Sequence, residues 1–461
     1  MTTTLVLPDN VACTIESAAI EPLETAGVIL ATYVETGGGD VRLLGRAIHM
    51  VAEADYSERH TDRLAIRSTG YVDALAEAER LQAIPLWFHT HPSIYGIPRP
   101  SLADTKVDND IADLFRLRSG SPFYGTLIVS PREGGLAFSG SLQTEMGSKM
   151  QIERLWLVGE RWRLYRSIDM QGPVLSPIFD RNVRAFGSAV QETLGSLAVT
   201  VVGCGGTGSA LSEQLLRLGV RDLCLIDADT LSASNVTRVF GSTLADIGKP
   251  KADILRDHLS RIVPDLKCEA VRGMITKEEV ARRLIGRDLV FGCTDDNAGR
   301  LVLSRLASYM LTPVVDVGVL LSSDEAEILR GIDGRVTILT PGSACLVCRD
   351  RVDLARASVE LRAPDERKRL EEEGYAPALG QIEPAVVAFT TAVAAAAVNE
   401  LLERLVGYGP TPRPTEILLR IHDREISTNR ADPKTGHYCH PDTGKIGLGP
   451  ATPFLEQVWL S

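Results

Sequence analysis

The sequence predicts an α/β protein of more than one module, and three observations predict it. From Leu197 the chain alternates short apolar runs with helical stretches: LAVTVVG, SALSEQLLRLG and DLCLIDAD, later DLVFGC, PVVDVGV and RVTILT. That alternation is the mark of strands and helices interleaved in a mixed, largely parallel sheet. The first of these strands runs into GCGGTGS, whose Gly203, Gly205, Gly206 and Gly208 open a helix and turn its N–H groups and dipole toward an anion. Before residue 150 the pattern differs: apolar runs enclose one helical stretch, Tyr71 to Gln82, just ahead of the strand-like run WFHTHP at Trp87 to Pro92.

The elements divide accordingly. Residues 1–150 read as one α/β domain, 151–178 as a connector holding Trp156, Trp162 and Tyr165, and 179–461 as a second α/β domain. A length of 461 residues is compatible with roughly three domains of about 150, and 44% hydrophobic content fills their cores. The start, MTTTLVLPDN, lacks the basic and apolar regions of a secretory signal. The longest apolar run, Ala385 to Val398, is shorter than the ~18 residues that span a membrane, so it reads as a buried or dimer-interface helix and no membrane association is expected. Eight cysteines without a signal imply reduced thiols or metal ligands in a cytoplasmic protein. A net charge of -11 excludes sequence-independent nucleic-acid binding, which needs a cationic face. The charged segment Arg349 to Glu373 is expected to be the most mobile part.

Within WFHTHP, His89 and His91 stand at i and i+2, so on a strand both imidazoles face one side, and Asp104 beyond the next loop adds a carboxylate. Three such ligands leave one position open, the hydrolytic rather than the structural form of a zinc site. The pattern H-x-H followed by S-x-x-D resembles the JAMM (JAB/MPN) metalloisopeptidases over about the first 150 residues. The resemblance implies zinc-dependent cleavage at the C-terminus of a ubiquitin-like protein, with Glu24 in PLETAGVIL as general base, Glu21 as its weaker rival, and Ser101 steadying the oxyanion.

The glycine turn alone suits a dehydrogenase equally well. IDADTLSASNVTR, however, adds Asp227, Asp229, Asn235 and Arg238 past the second strand; KPK adds Lys251 and CTDDN adds Asp295. Cations aimed at phosphates beside an acidic metal ligand serve nucleotidyl transfer, not hydride transfer. From about Phe179 onward this constellation resembles the ubiquitin-activating superfamily, above all the adenylyltransferases of molybdopterin and thiamine sulfur carriers. The resemblance implies a Rossmann-like activating fold that uses ATP and magnesium to adenylate the C-terminus of a ubiquitin-like protein. By the same resemblance Asp227 and Asp229 sit by the ribose, Asn235, Arg238 and Lys251 touch phosphates, and Asp295 holds magnesium. Arg184 of FDRNVR would cross a homodimer to the partner's γ-phosphate.

PGSACLVC offers Cys345 and Cys348 at zinc-knuckle spacing; near the end GHYCH offers Cys439, with His440 or His437 as fourth ligand of a structural zinc. The segment 349–384 holds no cysteine, which leaves three courses: the chain stops at the adenylate, forms an oxyester on a hydroxyl such as Ser358, or borrows a thiol from another protein; Cys293 reads as packing and Cys204 lies in the glycine turn. The whole is read as a bifunctional enzyme of a bacterial ubiquitin-like pathway, with a conjugating enzyme as second partner. The rivals are sulfur-carrier activation ending in a thiocarboxylate, and a non-catalytic scaffold that docks ubiquitin-like proteins.

Overall fold

The computed structural model describes residues 2–94, 96–167, 175–323, 329–362, 366–367, 369 and 385–459. The chain divides into two compact units, Met1–Gly172 with Ile446–Pro450, and Pro173–Lys445 with Ala451–Ser461.

The first unit is a nine-stranded mixed sheet. Its strands are β1 (Thr3–Pro8), β2 (Ala26–Glu35), β3 (Val41–Met50), β6 (Ile84–Thr90), β7 (Phe123–Arg132), β8 (Gly135–Thr144), β9 (Lys149–Gln151), β10 (Arg154–Val158) and β11 (Trp162–Arg166), in the order β11-β10-β1-β3-β2-β6-β7-β8-β9; β4 (Tyr56–Arg59) and β5 (Leu64–Ile66) form a separate hairpin. Helix α1 (Asp9–Ala19) covers one face, α2 (Thr69–Leu81) and α3 (Leu102–Ser119) the other. The strand period of two sorts the side chains between these faces. On β2, Ala26, Val28 and Leu30 pack with Trp87 of β6 beneath α2 and α3, while Ile29 and Ala31 join Leu86 and Phe88 beneath α1. His89, two residues beyond Trp87, therefore points to the α3 side.

Two expectations are corrected here. Residues 151–178 are not a plain connector: β10 pairs parallel with β1 and β11 antiparallel with β10, and Trp156 and Trp162 are buried core residues of the sheet. The segment reads as a connector because β10 pairs with a strand some 150 residues earlier, and no local signal links it to β1. The helical stretch Tyr71–Gln82 begins two residues earlier than expected, at Thr69, and Gln82 is its left-handed C-cap.

The second unit opens with α4 (Asp180–Phe186) and α5 (Ser188–Ser196). Its sheet contains β12 (Ala198–Val202), β13 (Asp222–Ile226), β14 (Lys267–Val271), β15 (Leu289–Gly292), β16 (Val314–Ser323), β17 (Leu329–Leu339), β18 (Glu416–Arg420) and β19 (Glu425–Asn429), in the order β14-β13-β12-β15-β16-β17-β18-β19. The first five are parallel; β17 to β19 continue antiparallel. The helices are α6 (Gly206–Leu218), α7 (Lys251–Ile262), α8 (Glu278–Ala281), α9 (Asn297–Tyr309), α10 (Leu354–Glu360) and α11 (Val387–Val406). The chain winds outward from β12 through β13 to β14, then returns to β12's other side as β15. That reversal is the switch point at whose carboxyl ends open α/β sheets place their ligands. The expected Rossmann-type mixed sheet is present.

Helix α11 takes up most of the apolar run expected at 385–398 and packs on α6, β16 and β17. No helix among the described residues is long and apolar enough to cross a membrane. Of the segment 349–373, α10 is well formed, and residues 363–365, 368 and 370–373 lie outside the described residues, as does any mobility there.

Candidate functional site

In the first unit, three ligand atoms converge. His89 Nε2 lies 3.2 Å from His91 Nε2 and 3.2 Å from Asp104 Oδ1, and His91 Nε2 lies 3.5 Å from Asp104 Oδ2. These are the spacings of ligands on a tetrahedral ion, whose edges are about 3.3 Å when each ligand is about 2.0 Å away. The donor set of two imidazoles and a carboxylate, both histidines buried, fits zinc. Burial acts to raise the Asp104 carboxyl, but hydrogen bonds to His89 and His91 hold it well below the usual carboxylate range.

Ser101 explains how Asp104 is aimed. Its Oγ accepts from the Asp104 N–H at 3.1 Å, and Asp104 Oδ2 accepts from the Ser101 N–H at 2.6 Å, a reciprocal cap at the start of α3. The S-x-x-D spacing thus fixes the helix start as well as the ligand, and the Ser101 hydroxyl proton is left to donate. Glu24 is buried with its Oε1 3.8 Å from His91 Nε2; its N–H donates to the His60 carbonyl and its carbonyl accepts from Arg59 Nε, so the β4–β5 hairpin pins it. Burial raises the Glu24 carboxyl, with His91 and His89 opposing. Glu21 is exposed on the turn after α1, and Glu24 is the carboxylate at the imidazoles.

In the second unit, the glycine turn lies between β12 and α6. Gly203 has φ +92° with Cys293's carbonyl pressed against it, and a Cβ on Gly208 would collide with the Gly203 carbonyl, so neither position admits a side chain. Asp227, at the end of β13, accepts from the Cys204 N–H at 2.6 Å and the Asp229 N–H at 2.8 Å, locking the turn to the next strand. Burial raises its pKa, and those two N–H groups oppose the shift. Lys251 Nζ pairs with Asp229 Oδ2 at 2.8 Å, and Arg238 lays its stem beside Gly206. Asn235 caps the short turn after Ser232. Asp295 is exposed past the end of β15, where Asp296 caps α9. The carboxyl ends of β12, β13 and β15 therefore carry the glycine turn, Arg238, the Lys251–Asp229 pair and the exposed Asp295. Arg184 is exposed on α4, ion-paired with Asp180 of the same helix.

Residues 179–439, more than half of the chain, match the ThiF family. The chain belongs to the ThiF family. Among its relatives is the molybdopterin-synthase adenylyltransferase of Escherichia coli (strain K12), 33% identical over 172 residues, which are 37% of this chain and 65% of the relative. The sulfur carrier protein ThiS adenylyltransferase of the same strain is 28% identical over 33% of this chain and 56% of its own length. Ubiquitin-like modifier-activating enzyme 5 of Dictyostelium discoideum is 31% identical over 34% of this chain and 42% of its own. The chain thus spans less than two thirds of each of these relatives. The first unit lies outside the residues that match the family, and its reading rests on the geometry of its side chains.

The ThiF-family unit carries a second ligand cluster, Cys345, Cys348, His437 and Cys439. His437 Nδ1 lies 3.5 Å from Cys345 Sγ and 3.3 Å from Cys439 Sγ, and the sulfurs of Cys348 and Cys439 are 3.6 Å apart. Of the two histidines left open by the sequence, His437 lies in the cluster, whereas His440 Nδ1 accepts from the Asp442 N–H and caps a turn. Both histidines suit the spacing from Cys439, and only the turn between them decides. A shared hydrogen bond holds the Cys345 thiol down and pushes Cys439 up, as expected of sulfurs sharing a proton where a cation fits. His437→Ala is expected to lower the melting temperature by about 5 °C or more, whereas His440→Ala leaves it unchanged, because structural zinc contributes folding free energy directly. Calorimetry of the two variants checks it; equal losses would contradict the assignment.

Burial pushes the Cys293 and Cys204 thiols well up, which makes both poor nucleophiles. Ser358 is exposed on α10. Sequence reasoning missed how α10 docks: Glu360 accepts from the Ala298 N–H at 2.8 Å and from Asn297 Nδ2, and Asn297 Oδ1 accepts from the Asp353 N–H. These contacts join residues some 60 positions apart, and no local pattern announces them.

Proposed function

We propose that this chain is a bifunctional enzyme whose ThiF-family unit adenylates the C-terminus of a ubiquitin-like protein and whose first unit is a JAMM-type zinc peptidase acting at that same C-terminus. The observation that carries the adenylation reading is the glycine turn together with Arg238, Lys251 and Asp295 at the switch point of a ThiF-family sheet. In the reaction a terminal carboxylate oxygen bonds to the α-phosphorus of ATP, the bond to the β-phosphate bridge breaks, and pyrophosphate leaves with the electron pair. The glycine-turn N–H groups, Arg238 and Lys251 stabilise charge on the phosphates, Asn235 adds a polar contact, and Asp227 and Asp229 orient the ribose. Asp295 would hold magnesium.

For the peptidase, His89, His91 and Asp104 would hold zinc, which lowers the pKa of a bound water to about 7. Glu24 is the group placed to take a proton from an attacking water and to return it to the departing amine, and Ser101 would donate to the oxyanion. Joining both activities in one chain raises the effective concentration of each for a shared substrate. The names of the E. coli relatives favour a second reading, sulfur-carrier activation, in which the adenylate is consumed to a thiocarboxylate.

The test is ATP–pyrophosphate exchange dependent on the ubiquitin-like partner. We read Arg184 as reaching the site of a second copy. Arg184→Ala should therefore lose exchange, and mixing it in equal amounts with Asp295→Ala should restore roughly a quarter of it, since half the dimers are mixed and each has one intact site. Absence of exchange by the wild type would refute the adenylation reading. Absence of complementation would confine each site to one chain.

A further inference from the structure

Beside the nucleotide edge of the ThiF-family sheet lie two guanidinium groups whose donors are mostly unspent. Asp316 of β16 is fully buried next to Gly292, the last residue of β15, where a Cβ would stand 3.6 Å from its Oδ1. Its carboxylate meets Arg300 Nε of α9 at 3.3 Å and Arg335 Nη2 of β17 at 3.5 Å. Neither contact is the two-pronged fork an arginine makes with a dedicated carboxylate, and Asp316 is shared between two guanidinium groups, while the neighbouring Glu416 is paired with Arg351 at 2.7 Å. Both side chains are largely withdrawn from solvent, at 15% and 21% exposure.

Two residues farther along β16, on the same face, Gly318 pairs in register with Arg335. A Cβ at Gly318 would find Arg300 Nη2 at 3.4 Å and Arg335 Nη2 at 3.7 Å and, among the described residues, no other heavy atom within 4 Å. The two Nη2 groups therefore converge on open space above a residue that has no side chain to fill it. A net positive, half-buried fork of this kind is built for an anion.

We propose that Arg300 and Arg335, converging over Gly318, bind the C-terminal carboxylate of the ubiquitin-like partner and present it to the nucleotide. The assignment rests on the adenylation reading. The ligand is a carboxylate rather than a phosphate because the sheet order separates the two. The glycine turn, Arg238 and Lys251 serve the β12–β13 side, whereas the fork lies on the far side of β15, with Asp295 between them. Adenylation must bring a carboxylate against a polyphosphate, two anions that repel. Cations that neutralise the carboxylate without contacting the phosphates offset that repulsion while leaving the attacking oxygen's lone pair free.

The experiment measures binding of a fluorescent glycine-serine hexapeptide with a free C-terminal carboxylate, and of its C-terminal amide, to the full chain. A fluorescent ATP analogue is titrated in parallel. The free acid should bind about tenfold or more tightly than the amide, since the fork recognises the charge. Arg335→Gln should erase that difference and leave ATP binding unchanged. Gly318→Ala, whose methyl meets only ordinary contact distances, should do the same by occupying the space, which separates the assignment from misfolding of an arginine variant. Equal affinity for acid and amide in the wild type would overturn the proposal. So would variants that weaken ATP instead, because the anion would then be a phosphate. Discrimination without pyrophosphate exchange in the wild type would preserve the fork and refute adenylation; exchange without discrimination would do the reverse.

Discussion

Asp295→Ala is expected to abolish partner-dependent ATP–pyrophosphate exchange, by about a thousandfold or more, while cleavage of a C-terminally extended partner continues at the wild-type rate. Asp295 is the exposed carboxylate past the end of β15, the strand that lies between β12 with its glycine turn and β16 with Gly318. Pyrophosphate leaves with growing negative charge, and Asp295 would hold a magnesium ion that supplies counter-charge to it. Asp296, next in sequence, already caps α9 and is committed to the Gly299 N–H, so it cannot substitute. Exchange measured with labelled pyrophosphate checks the loss, and the cleavage assay on the same preparation checks that the fold survives. Exchange within tenfold of wild type would remove Asp295 from the machinery.

Glu24→Ala is expected to keep its zinc and to lose peptidase activity by about three to four orders of magnitude, the upper range for a positioned general base. Glu24 stands 3.8 Å from His91 Nε2 and is not one of the three converging ligands, so its removal leaves the donor set whole. Burial raises its carboxyl against the opposing pull of His91 and His89, the direction that favours taking up a proton. Adenylation in this variant should equal wild type. If Glu24→Ala cleaves normally, the base lies elsewhere; Glu21, exposed on the turn after α1, would be the next residue to test.

Much of this was legible because the deciding signals are local. H-x-H sets two imidazoles on one face by the period of two: Trp87 and Phe88 join opposite cores, and His91, one residue past the end of β6, still brings its Nε2 to within 3.2 Å of His89 Nε2. The glycine turn and its acidic follower sit within one βαβ unit, where spacing and geometry are tightly linked. What escaped was non-local or degenerate. β10 and β11 join a sheet whose nearest partner strand lies some 150 residues earlier, so 151–178 read as a connector. His437 and His440 offer the same residue type close to one cysteine, and only the turn that His440 caps, by accepting from the Asp442 N–H, sets it apart from His437 at the sulfurs. Arg300 and Arg335 belong to different elements, and only the β16–β17 register brings them over Gly318. The capping box of Ser101 and Asp104 was within reach: S-x-x-D before a helix is a start signal as well as a ligand pattern.

The claim that this chain holds one hydrolytic and one structural zinc site is tested most directly by counting zinc per chain, by elemental analysis of the purified wild type and of His89→Ala and Cys345→Ala. The account predicts two equivalents in the wild type and one in each variant, with the His89→Ala protein retaining adenylation and losing cleavage. A wild-type chain with a single zinc that survives His89→Ala would contradict it, leaving the cysteine cluster as the metal site and the first unit without a hydrolytic centre.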